Sequence, residues 1–211
     1  MTDENQHLLE KLYQQYNDPI KPLLAEIEAV YEKFPLALYN EIRAMNDHVA
    51  RAFTTEDDNK AKQQIEKAFN HVNRITRDCY KFLDLYYKQE AEKFDKSICS
   101  VEPRTTEEYK QMAEYGSLSD KATQLVEYAK QQEHLTTDEE TYKNFENAYL
   151  AYRDLHKFIV DNRREVMLIK RKKSFKGFLS AIISILTFIL GCILTNNNRA
   201  IVSAFMQIFT H

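Results

Sequence analysis

From Gly177 to Asn198 the chain carries no charge over 22 residues, and between Phe178 and Leu194 its only polar side chains are Ser180, Ser184 and Thr187. At about 1.5 Å per residue such a stretch approaches the roughly 30 Å of a hydrocarbon core. The reading is a single transmembrane helix over 177–195. A core helix of this length with no polar face would need protein on every side. Met1 to Gln6 is polar and shows no signal peptide, so the hydrophobic address is expected near the C-terminus.

Charge is divided around that stretch. Residues 1–162 hold 21 basic and 31 acidic side chains, residues 163–176 hold seven basic and one acidic, and beyond them only Arg199 is charged. Lys170, Arg171, Lys172, Lys173 and Lys176 form a basic collar, assigned to residues 166–176. An excess of Lys and Arg on one side of a span marks the cytoplasmic side. The expectation is therefore a single-pass inner-membrane protein, with the body at 1–165 in the cytoplasm and the C-terminus outside. The collar would lie against anionic headgroups, at about 1 kcal/mol per basic residue. Nucleic-acid binding by the collar is the competing reading.

The face pattern inside 177–195 points to self-association. At 100° per residue, Gly177, Ser180, Ser184, Thr187, Gly191 and Thr195 fall within an arc of about 80°. Small and hydroxylated residues on one face let helix backbones approach and hydrogen-bond. With one such helix per chain, the simplest partner is another copy. Around an axis the same face serves either as a packed seam or as the lining of a water-filled path. Residues 196–211 read as an Asn turn followed by a short amphipathic helix, which has Ile201, Val202, Phe205, Met206, Ile208 and Phe209 on one side.

For the body, three Gly and four Pro in 211 residues leave too few turns for an all-β fold. The expected class is all-α, an elongated helical bundle with helices near 4–17, 20–34, 36–53, 57–99, 105–133 and 138–175. Ile65, Phe69, Val72, Ile75, Cys79, Phe82 and Tyr86 recur at helical spacing, and the aromatics from Tyr86 to Phe158, including Tyr109, Phe145 and Tyr149, read as core. Cys79, Cys99 and Cys192 are odd in number and far apart, which favours a reducing compartment. His and Cys show no metal-ligand spacing, no two Gly lie close enough to cradle a phosphate, and no cofactor is expected.

One constellation has the residue types for chemistry. Arg43 and His48 form R-x-x-x-x-H within a predicted helix, with Asn46 and Asp47 between them. This resembles the motif of the HEPN superfamily, small all-α and often dimeric proteins, many of them metal-independent ribonucleases. The resemblance implies that Arg43 clamps the scissile phosphate and His48 transfers protons, across a dimer interface. Without it, Arg43 pairs with a carboxylate such as Glu41 or Asp47 and His48 is a partly buried helix residue. A net-acidic body is poorly suited to holding a polyanion.

Taken together, the HEPN-like body, the apolar stretch and its small-residue face resemble the membrane-associated accessory proteins encoded beside type VI-B CRISPR RNA-targeting nucleases. That resemblance implies a homo-oligomeric antiviral effector that permeabilises or depolarises the inner membrane, acting in an RNA-targeting CRISPR pathway. A membrane-tethered HEPN ribonuclease or toxin and an inactive helical membrane scaffold are the alternatives.

Overall fold

A computed structural model describes residues 1–98, 103, 105–135 and 137–194, with the side chains of 138, 139, 165–178 and 189–194 outside the description. The described residues contain six α-helices and no strand, in agreement with an all-α class. They are α1 (Asp3–Gln15), α2 (Lys21–Val30), α3 (Leu36–Thr54), α4 (Asp58–Ile98), α5 (Thr106–Gln132) and α6 (Asp138–Leu194). The chain divides into two compact units, one formed by residues 1–97 and 103–161, the other by 98–102 and 162–211.

Local chemistry sets the boundaries. Thr2 caps α1 through its side chain. Asp18-Pro19, expected to break the chain, instead lies in a π-helical turn, Tyr16–Ile20, that joins α1 to α2. The widened turn accommodates a residue that has no N–H and whose ring would collide with the carbonyl four residues back. Pro22 sits in the first turn of α2, where a missing N–H costs nothing. α2 stops at Val30, four residues short of expectation, because Tyr31 turns extended and its hydroxyl donates to the Phe82 carbonyl at 2.7 Å. Asp57 starts α4 by accepting from the N–H groups of Asn59 and Lys60. A capping box between Thr105 and Glu108 starts α5.

In the first unit, α4 is the shared wall. Asn5 donates to the Asp58 carbonyl, and Tyr31 reaches Phe82, so the α1–α2 rod runs along α4 in the same direction. Glu41 meets His71 and His48 meets Gln64, so α3 runs against it. Lys81 pairs with Glu133 while Tyr115 donates to Asp95, which makes α5 antiparallel to α4. Tyr80 donates to Glu146 and Tyr87 packs on His156, which returns α6 to the α4 direction.

Of the expected apolar stripe of α4, Ile65, Val72, Ile75 and Cys79 are buried and Phe69, Phe82 and Tyr86 are half-buried; Leu12, Ile27, Leu38, Met45, Phe145 and Leu155 join the core. Tyr109, read as core, is instead exposed. Buried tyrosines keep one polar end, which finds a carboxylate. Glu26 on α2 accepts from Tyr87 of α4 and from Tyr149 of α6, the latter at 2.7 Å. Burial first, then this carboxylate, pushes the Tyr149 hydroxyl up to about 12.

The second unit corrects the sequence reading. Among the described residues, no helix is long and apolar enough to cross a membrane. The expected transmembrane helix over 177–195 and the single-pass inner-membrane placement are therefore both overturned. The stretch belongs to α6, a single helix whose earlier part is rich in charge.

Candidate functional site

The R-x-x-x-x-H residues do not come together within the chain. α3 buries Leu38, Met45, Val49 and Ala52. Arg43 lies on the opposite, solvent side, about 140° around the helix from His48, as five residues at 100° each require. Neither carboxylate proposed for Arg43 takes it. Glu41 engages His71 and Asp47 pairs with Arg51 at 2.8 Å, while the Asn46 amide donates back to the Ile42 carbonyl. Arg43→Ala is accordingly expected to change stability by less than about 0.5 kcal/mol in a denaturant melt, as for other surface substitutions.

His48 does enter a cluster. Its Nδ1 faces Gln64 Oε1 at 2.8 Å, and its ring stacks on His71 with centroids 5.3 Å apart and planes 22° apart. His71 Nδ1 lies 2.6 Å from Glu41 Oε2, with the two side chains 16% and 26% exposed. The two rings thus meet between α3 and α4, each held through Nδ1 by a side-chain oxygen. A carboxylate behind one of two adjacent imidazoles fixes the tautomer and orientation needed for proton transfer. Glu41, Gln64 and His71 escape a sequence search because they meet His48 only when α3 folds back on α4. Among the described residues, no group of three or more His, Cys, Asp or Glu is placed to hold a metal ion.

The α4–α6 core holds three unusual groups. Asp84 is buried, at 5% exposure, and among the described residues neither carboxylate oxygen has a hydrogen-bond partner; the buried His156 Nδ1 lacks one there too, its ring resting against Tyr87. Burial raises the Asp84 carboxyl to about 8, against a smaller opposing pull from Lys130. Cys79 is also buried, and its thiol is pushed up to about 12, chiefly by burial and then by Asp78.

On the stretch expected to self-pack, Ser180, Ser184 and Thr187 are all exposed. The Ser184 hydroxyl donates to the Ser180 carbonyl at 2.9 Å and that of Thr187 to Ile183 at 2.7 Å. Both are bonds within the helix. The surroundings of Gly177, Gly191 and the collar Lys170, Arg171, Lys172, Lys173 and Lys176 lie outside the description, and Thr195 and the tail helix lie outside the described residues altogether. No family model matches the chain, and no curated protein or solved structure matches it.

Proposed function

We propose that this chain is a homo-oligomeric helical interaction protein that acts by assembly, in keeping with an accessory role in CRISPR-type antiviral defence. One observation carries the assembly. Leu179, Ile182, Ile183, Ile185, Leu186 and Phe188 are exposed, at 36% to 59%, and at 100° per residue they occupy the circumference of α6 except for an arc of about 140° that holds Ser180, Ser184 and Thr187. An uncovered apolar surface this broad on one helix marks an interaction site. Further copies of the same helix would surround it most simply. The small residues Ser180, Ala181 and Ser184 between the large ones allow close approach.

Sedimentation velocity over a concentration series tests this. The wild-type chain is expected well above the 25.0 kDa monomer, and the pair Ile183→Glu with Leu186→Glu is expected to shift it to the monomer. A wild-type chain that sediments as a monomer at all concentrations refutes the reading.

The stacked pair of His48 and His71, backed by Glu41, supports a second reading, a HEPN-like ribonuclease that uses both imidazoles. On that reading, His48→Ala and His71→Ala each abolish RNA turnover while leaving sedimentation unchanged. RNA cleavage that survives both substitutions excludes it.

A further inference from the structure

Beside the start of α6, one face of α4 opens into a cavity of about 360 Å³ lined by Asn70, Asn73, Arg74, Arg77 and Thr141. The four α4 residues follow the i, i+3, i+4, i+7 spacing that places side chains in one row. The lining contains no carboxylate and only side chains able to donate. Arg77 is held from behind: its Nε lies 3.3 Å from Asp78 Oδ1 and 3.7 Å from Glu133 Oε1. Those contacts fix the plane of the guanidinium and leave its two terminal nitrogens uncommitted among the described residues. Arg74 is exposed, and no hydrogen bond or ion pair engages it among the described residues. An uncommitted arginine is conspicuous in a body with 31 acidic side chains in residues 1–162.

We propose that this cavity binds the phosphate group of a small ligand, either free phosphate or the phosphate of a mononucleotide. Arg74 and Arg77 supply planar forks of N–H donors matched to phosphate oxygens, and the Asn70 and Asn73 amides supply neutral donors beside them. The volume exceeds that of one phosphate and leaves room for what the phosphate carries. The charge around the cavity sets the size of the ligand. Asp78 and Glu133 flank it, both held against Arg77. A compact anion reaches the guanidinium groups without passing along these acids, whereas an extended polyanion would lie across them. The site is independent of the assembly proposed above and of the His48–His71 pair.

Isothermal titration of the full chain with inorganic phosphate, with AMP and with a short RNA oligomer separates the cases. Saturable one-to-one binding of phosphate or AMP is expected, weakening as salt rises. The tighter of the two identifies the source of the group. Arg74→Gln, at an exposed position, is expected to weaken binding at least tenfold without changing the circular dichroism spectrum, and Asn73→Leu to weaken it several-fold. Absence of saturable binding at millimolar phosphate and AMP, equal binding by Arg74→Gln, or tighter binding of the RNA oligomer than of either small anion would overturn the proposal.

Discussion

Asp84→Leu is expected to stabilise the chain by about 2–4 kcal/mol at pH 7, by removing a buried carboxyl that has no partner. The folded carboxyl titrates at about 8 and its ordinary value is 3.8. Between those values the folded protein keeps a proton that the unfolded chain has released. Stability therefore falls as pH rises through this window, by at most about 1.4 kcal/mol per unit, and levels off once the folded carboxyl has also ionised. From the ordinary value to pH 7 that amounts to up to about 4 kcal/mol. The groups that face Asp84 are Lys130 of α5, whose charge favours ionisation, and the Tyr152 hydroxyl of α6, whose own value Asp84 helps to raise. Lys130 thus narrows the pH window over which stability is lost. Denaturant melts at pH 5, 7 and 9 are expected to show the wild type losing stability across the series and the leucine variant losing less. Asp84→Asn should gain less than leucine, since a buried amide also lacks partners there. Equal stability and identical pH profiles for Asp84→Leu and the wild type would mean that the carboxyl is solvated.

Glu26→Ala should act in the opposite direction, costing about 3 kcal/mol, because two charge-assisted hydrogen bonds disappear together and two phenols within the core lose their acceptor. Glu26 is the point where α2 is tied at once to α4, through Tyr87, and to α6, through Tyr149. Glu26→Gln keeps one carbonyl acceptor and is expected to lose about half as much. Urea unfolding at pH 7 measures both. A near-neutral alanine variant would show that water replaces the carboxylate at both hydroxyls.

The parts of the fold that depend on neighbours in sequence were legible. Ile65, Val72, Ile75 and Cys79 of the α4 stripe are periodic and are buried, and α5 starts within a residue of the expected position 105, where Thr105 caps it. The α1–α2 junction was not legible, because Pro19 interrupts an ordinary helix but fits a π turn, and the choice depends on what α2 packs against. Asp84 sits between Leu83 and Leu85 and looks like an ordinary solvated acid; only the approach of α5 and α6 encloses it. The same holds for His71, whose meaning comes from Glu41, thirty positions earlier. In the R-x-x-x-x-H reading, the five-residue spacing already sets Arg43 about 140° from His48 on one helix, whereas the cluster that His48 does join depends on α4. The apolar run near the C-terminus suggests a span by its length and its lack of charge. In the folded chain it is the continuation of α6, a helix rich in charge through its earlier part.

Cys79 gives the molecule an internal clock. Thiolates rather than thiols react with alkylating reagents, and here the thiol is held near 12 at the centre of the α4 wall with no exposed surface. Modification at this position must wait for α4 to part from its neighbours. The site-resolved alkylation rate of Cys79 therefore reads the free energy of that opening directly, against which any ligand or assembly that braces the helices registers as a slower tick.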